Sequence, residues 1–237
     1  MTYYRDGEYH SYLSLLPHLR NADAPTFFCD FDGVLNALPH DQVWIGGEDK
    51  QIDTWTMLDR SNWEIVVREP DPKKHFVWDN VVMAETGGRT FPLRFSSELM
   101  DNIKALIASG DINFVWLTSW NEDSQKVLNP ILGLPADTPY LPWEQRRSDY
   151  EHFGKFTALK ELLDEIEPDA RQNFIWVDDV ATRSFLYRDN RYHNFKKKHG
   201  LSPLVIQTDP LYGIDRKEWA RIERFIAKQK TLREAVA

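Results

Sequence analysis

A single cysteine in 237 residues rules out an intramolecular disulfide and fits a reducing compartment. No apolar run approaches the roughly 18 residues that a membrane span needs. The N-terminus lacks a basic start followed by an apolar block, so no secretion signal is expected and the reading is cytoplasmic. The seven histidines include no HxxxH-type pair, which leaves no zinc motif. Internal repeats and low-complexity tracts are missing too. Basic residues are outnumbered, and the net charge of −8 argues against a general nucleic-acid coat while allowing a local basic groove. What remains, 42% hydrophobic and 28% charged residues, is the composition of a globular chain with one good core and at most a modest accessory lobe.

Against that background the segment Asp30-Phe31-Asp32-Gly33-Val34-Leu35-Asn36 stands out, directly after the apolar run Phe27-Phe28-Cys29. Strand side chains at i and i+2 point the same way, so both carboxylates aim at one small volume. Their repulsion needs a cation to offset it. Mg²⁺ is the expected ion, because it takes oxygen ligands and commonly joins one or two carboxylates to a substrate phosphate.

The rest of the chain reads as alternating elements. Residues 1–25, with Tyr3, Tyr4, Tyr9, Tyr12 and four leucines, predict a short helix or arm, and 26–29 predict the first strand. From 37 to 95 helical periodicity is lost. β-type runs at 63–67, 76–78, 81–84 and 90–95, separated by Pro, Gly and Asp clusters, predict a β-rich insertion. Ser96 or Ser97 then caps a helix with Leu99, Ile103, Leu106 and Ile107 on one face, ending at Gly110. A strand at 112–117, a polar turn with a helix through about 128, and a loop over 130–147 follow. Next come a helix over 155–166, a strand at 174–177, an irregular basic stretch at 183–199 and a strand at 204–207. Asp215 and Glu218 predict a capping box for a last helix presenting Trp219, Ile222 and Ile226. Unbroken apolar strands alternating with helices predict an α/β fold, a doubly wound parallel sheet covered on both faces. Residues 1–237 read as a single domain with 37–95 inserted in it.

Chemistry in such a sheet gathers at the carboxyl ends of its strands. Three strands end in polar residues there: Cys29 into Asp30 and Asp32, Leu117 into Thr118 and Ser119, and Val177 into Asp178 and Asp179. Lys155 opens the helix leading to the third. Singly, Thr118 reads equally as a helix cap and Lys155 as a surface charge. The ordered set is what is specific.

In this order the residues resemble the haloacid dehalogenase-like (HAD) superfamily of Mg²⁺-dependent phosphohydrolases with an aspartate nucleophile. Its DxDGx[TV] motif matches residues 30–34. The strand ending in Thr or Ser matches 114–118, the upstream lysine is best matched by Lys155, and the strand ending in two acids matches 174–179. The resemblance spans about 26–210 and implies a Rossmannoid HAD-like core with a small β-rich cap after the first motif. Trp116-Leu117-Thr118-Ser119-Trp120-Asn121, Leu141-Pro142-Trp143 and 208–213 resemble a bacterial and phage branch that includes domains of RNA-repair proteins.

The resemblance implies that Asp30 attacks a phosphate and forms an aspartyl-phosphate that water hydrolyses. Asp30 and Asp178 would bind Mg²⁺ by carboxylate and Asp32 by its backbone carbonyl. Asp32 would act as acid and base through its side chain. Its presence favours phosphatase chemistry over dehalogenation. Thr118 would bond a phosphoryl oxygen, and Lys155 would hold the phosphate and the Asp30 charge. Asp179 would either back the metal or support Lys155. Ser119 replaces Thr118 if the strand ends one residue later. Lys160 competes with Lys155, which is preferred because Gly154 precedes it at a helix start. Cys29, inside an apolar strand, is expected to be inert packing.

The substrate side is open. Four of nine tryptophans (Trp44, Trp55, Trp63, Trp78) fall in the insertion, where they either stack on bases or fill the lobe's own core. Arg183, Arg188, Arg191, Lys196, Lys197 and Lys198 either track a phosphate backbone or form a solvated loop. The expected function is a Mg²⁺-dependent phosphomonoesterase acting on a small metabolite, a nucleotide or a polynucleotide end. The alternatives are a phosphotransferase, or a silent nucleic-acid or protein binding module on the same fold.

Overall fold

Strands apolar at every position must be covered on both faces, and the arrangement of elements follows from that need. The computed structural model describes residues 2–5, 8–20, 24–38, 40–44, 63–67, 69–143, 153–187 and 191–235. The chain opens with an antiparallel hairpin, β1 (Thr2–Arg5) and β2 (Glu8–Ser11), and one helical turn, α1 (Tyr12–Leu15). After β3 (Thr26–Cys29) come two antiparallel pairs. One is β4 (His40–Trp44) with β5 (Trp63–Val67), the other β6 (Asn80–Thr86) with β7 (Arg89–Phe95). Then follow α2 (Ser97–Ala108), β8 (Asn113–Trp116), a π-helical turn at Ser124–Leu128, α3 (Asn129–Leu132) and α4 (Phe153–Glu165). The chain continues through β9 (Ile175–Asp178), α5 (Ala181–Tyr187), α6 (Arg191–His199), β10 (Leu204–Gln207) and α7 (Arg216–Glu234).

Four strands form a parallel sheet of order β10-β9-β3-β8. Their side chains divide by parity. Phe27, Cys29, Phe114, Trp116, Ile175 and Val177 enter one core with Leu99, Met100 and Ile103 of α2 and Trp219, Ile222 and Ile226 of α7. Phe28, Val115, Leu117, Trp176 and Val205 enter the other, with Leu159, Leu162 and Leu163 of α4, Leu16 and Leu19, and Phe185 and Phe195. Burying each large side chain contributes about 1.5–3 kcal/mol, so both faces resist exposure. The doubly wound α/β expectation holds.

The capping box of α7 forms as expected, with Asp215 accepting from the Glu218 N–H and Glu218 accepting from the Asp215 N–H. Several local expectations need correction. The N-terminal arm holds the expected short helix, α1, and a 3₁₀ turn over Pro17–Arg20, but an unexpected hairpin precedes them. The helix near 128 continues as α3 through Pro130, which sits in its first turn, so the expected loop begins only at Gly133. Residues 183–199 hold α5 and α6 instead of irregular chain. The buried residues of α6, Phe195 and His199, lie one turn apart among charged positions, too sparse to show a period.

No strand exists at 76–78. Phe76 points instead into the core against Trp219, with the Arg216 guanidinium 4.7 Å from its ring. Arg216 also donates to the Pro72 carbonyl (2.9 Å) and bidentately to Glu98 (2.7 Å each), and its backbone N–H donates to the Lys74 carbonyl. A bridge joins His75 to Asp215. The start of α7 therefore fixes residues 72–76. Trp55, Arg188 and residues 144–147 lie outside the described residues.

Candidate active site

The register pairs Cys29 with Val177 on one side and with Trp116 on the other, so β3, β9 and β8 end at the same level. The Asp30 N–H donates to the Val177 carbonyl (3.0 Å) and the Leu117 N–H to the Cys29 carbonyl (2.8 Å). These last sheet bonds fix where Asp30, Asp178 and Thr118 leave the strands.

Lys155, in the first turn of α4, reaches across and donates to Asp30 and to Asp178 Oδ2 (2.7 Å). All three groups are buried, Lys155 at 2% exposure. The ring of Trp143 lies 5.6 Å from its ammonium. Asp178 uses its other oxygen to accept from the N–H groups of Val180 (2.9 Å) and Ala181, and its carbonyl accepts from Thr182 Oγ1 (2.6 Å). Thus its orientation is fixed by the start of α5. Asp179 is half-buried against Gly33: a Cβ at Gly33 would lie 2.5 Å from Asp179 Oδ2. The glycine also has φ +70°, a conformation other residues resist.

The electrostatics follow from two or three acids sharing one ammonium. Burial pushes Asp30 up to about 8, with Asp178 adding to the rise and Lys155 opposing it. Burial and then Asp178 push Asp179 up to about 6. Burial alone would lower Lys155, but Asp30 and Asp178 outweigh it and keep it charged. Carboxyls raised this way are short of positive charge. Asp30, Asp178 and Asp179 each offer an oxygen within 4.8 Å of the others, and among the described residues this is the group that could hold a metal. Hard oxygen donors at that spacing suit a divalent cation.

Asp32 is held differently. Asn36 Nδ2 donates to its Oδ1 (2.7 Å) and Trp120 Nε1 to its Oδ2 (2.9 Å). Thr118 is buried at the end of β8, where its carbonyl accepts from Trp143 Nε1 (2.9 Å), while Ser119 is exposed. Lys160 is exposed on α4 and bears on Asp164, away from the acids. The structure therefore brings Asp30, Lys155, Asp178 and Asp179 together and leaves Ser119 and Lys160 on the surface. Burial raises the Cys29 thiol, as inert packing requires.

Asn36, Trp120 and Trp143 were not singled out by sequence reasoning as parts of the site. Their signal is that Asn36 closes the first acid motif and that Trp120 and Trp143 fall in the segments 116–121 and 141–143 that resemble the RNA-repair branch. Of the other residues of interest, Trp78 stacks on Tyr212, whose ring also stacks on His75 at 4.2 Å. Lys198 pairs with Asp164, Lys196 lies over Tyr192, and Arg183 and Lys197 are exposed.

No described helix is long and apolar enough to cross a membrane. Comparison with curated proteins and with solved structures gave no match. Residues 26–219 match the family described as the HAD domain in Swiss Army Knife RNA repair proteins. That stretch takes in the whole parallel sheet and every acid of the site. HAD domains are hydrolases or phosphotransferases that typically use a divalent metal, and the three-aspartate cluster is compatible with one. With its sheet, strand-end acids and lysine all inside the matched region, the chain belongs to the HAD superfamily, in the family of HAD domains of Swiss Army Knife RNA repair proteins.

Proposed function

We propose that this protein is a Mg²⁺-dependent phosphomonoesterase that removes phosphate from polynucleotide ends through an aspartyl-phosphate on Asp30. The observation that carries the reading is the buried Lys155 bridging Asp30 and Asp178 beside Asp179. A buried ammonium between two carboxylates is poor value for stability but well suited to hold phosphate charge. The RNA-repair description of the family supports polynucleotide ends over small metabolites. We read the chain as one cytoplasmic domain with residues 37–95 as a small cover.

Asp30 attacks phosphorus in line, the P–O bond to the leaving group breaks, and Asp32 gives that oxygen its proton. Asp32, now a carboxylate, takes a proton from water. The resulting hydroxide attacks phosphorus, the Asp30–phosphorus bond breaks, and inorganic phosphate leaves. Thr118 donates to a phosphoryl oxygen, and Lys155 shifts from the carboxylates toward the phosphate. Asp30, Asp178, the Asp32 carbonyl and Asp179 would hold Mg²⁺, which would neutralise charge between nucleophile and phosphate.

The test is release of phosphate from 3′- and 5′-phosphorylated oligonucleotides and from p-nitrophenyl phosphate with Mg²⁺. Asp30→Asn should abolish turnover on all of them. Retained activity in that variant would remove the nucleophile. Label transferred to an added alcohol instead of water would make the enzyme a phosphotransferase.

A further inference from the structure

We infer that Trp120 and Asn36 are positioning residues for the Asp32 carboxylate, and that the β6–β7 hairpin holds both of them in place. The inference rests on the reading of Asp32 as acid and base.

Each Asp32 oxygen accepts one hydrogen bond, from Asn36 Nδ2 at 2.7 Å and from Trp120 Nε1 at 2.9 Å. Two donors at opposite ends of a carboxylate fix its rotation, which a single donor does not. Both donors are tied in turn to β7. Asn36 is buried, and its Oδ1 accepts from the Arg94 N–H (2.7 Å), while the Ala37 N–H donates to the Arg94 carbonyl (3.0 Å). The Trp120 indole packs edge-on between Phe31, at 5.8 Å, and Phe91 of β7, at 5.7 Å. A third tie joins Thr86, at the hairpin's end, to Asp123, whose N–H donates to the Trp120 carbonyl (2.9 Å). The hairpin thus reaches the acid through both of its donors, Asn36 through the Arg94 backbone and Trp120 through Phe91 and the Thr86–Asp123 bond.

The hairpin's apolar composition alone does not require this. Leu93 and Phe95 are buried in the core, whereas Phe91 remains 37% exposed and spends its contact on Trp120. A carboxylate that must release and recover a proton along one line gains from being aimed beforehand, since misaligned groups lose rate steeply.

A misaimed acid hurts poor leaving groups most, because an alkoxide needs its proton and p-nitrophenolate does not. The comparison is therefore of kcat/KM, which reports steps up to transfer onto Asp30, for an oligonucleotide phosphate and for p-nitrophenyl phosphate. Trp120→Phe keeps the ring and removes only the N–H. It should lower kcat/KM on the oligonucleotide phosphate by about ten- to hundredfold and on the aryl phosphate by clearly less. Phe91→Ala, which leaves both hydrogen bonds formally possible, should show the same bias more weakly. In the free protein, the indole N–H resonance lost in Trp120→Phe should shift in Asp32→Asn and in Phe91→Ala.

Equal losses on both substrates in Trp120→Phe, or an indole signal indifferent to Asp32→Asn, overturn the positioning role and leave the phosphatase reading standing. Equal losses on both substrates in Asp32→Asn overturn the acid–base assignment beneath it.

Discussion

Asp179 shows how one residue carries the charge balance of the site. Lys155 divides its ammonium between Asp30 and Asp178, and Asp179 faces those acids from beside Gly33. Its carboxyl is pushed up to about 6, by burial and then by Asp178. A carboxyl that holds its proton more tightly folded than unfolded costs stability once the unfolded form ionises, from about pH 4, and the cost levels off above about pH 6. In chelator, wild-type protein should therefore lose stability relative to Asp179→Asn as pH rises through that window. Mg²⁺ should shrink or reverse the gap at pH 7. Chemical denaturation of both proteins across pH reads it directly. A gap that stays flat with pH would place Asp179 in contact with solvent rather than with the acids.

At the scale of elements, the loop after β10 sets the first motif in place. Thr208 Oγ1 donates to the Gly33 carbonyl (2.8 Å), the Leu38 N–H to the Pro210 carbonyl (2.9 Å), and the Ile214 N–H to the Val34 carbonyl (3.0 Å). Gly213 makes this approach possible: at φ +70°, its Cβ would meet the Val34 carbonyl oxygen at 2.3 Å. Gly213→Ala should cost at least about 2 kcal/mol in denaturant unfolding, from the left-handed backbone and the clash together. It should lower turnover as well, because the displaced chain carries Asp30 and Asp32. Sequence made the strands, the α7 cap and the strand-end acids readable, since each rests on a local pattern or on a short run of one character. It hid what depends on distant partners. The 76–78 run has the apolar, β-prone character of a strand, yet Phe76 is claimed by Trp219 and Arg216. The α6 helix rests on Phe195 and His199 meeting a core built elsewhere. The ties of Trp120 and Asn36 to β7 likewise depend on a strand far from one or both of them in sequence.

For the whole molecule, the contrast is between an acidic chain and the polyanionic substrate proposed for it. A net charge of −8 repels nucleic acid at long range, so attraction must come from local groups. The last turn of α6 carries Lys196, Lys197, Lys198 and His199 in succession. The double variant Lys196→Gln/Lys197→Gln should weaken binding of a phosphorylated oligonucleotide. It should also flatten the salt dependence by about 0.7 in log–log slope for each charge removed. Turnover of p-nitrophenyl phosphate should not change. Anisotropy titrations at several salt concentrations give the slope, and an unaltered one would move the nucleic-acid path off α6.

Arg216 and its neighbours bear on how the molecule is made. Residues 72–76 find long-range partners in Tyr212, Asp215, Arg216 and Trp219, more than a hundred positions later. On the ribosome, the sheet's first three strands can assemble while the stretch leading into β6 still lacks these partners. The stretch leading into β6 therefore gains these partners only once α7 has been synthesised.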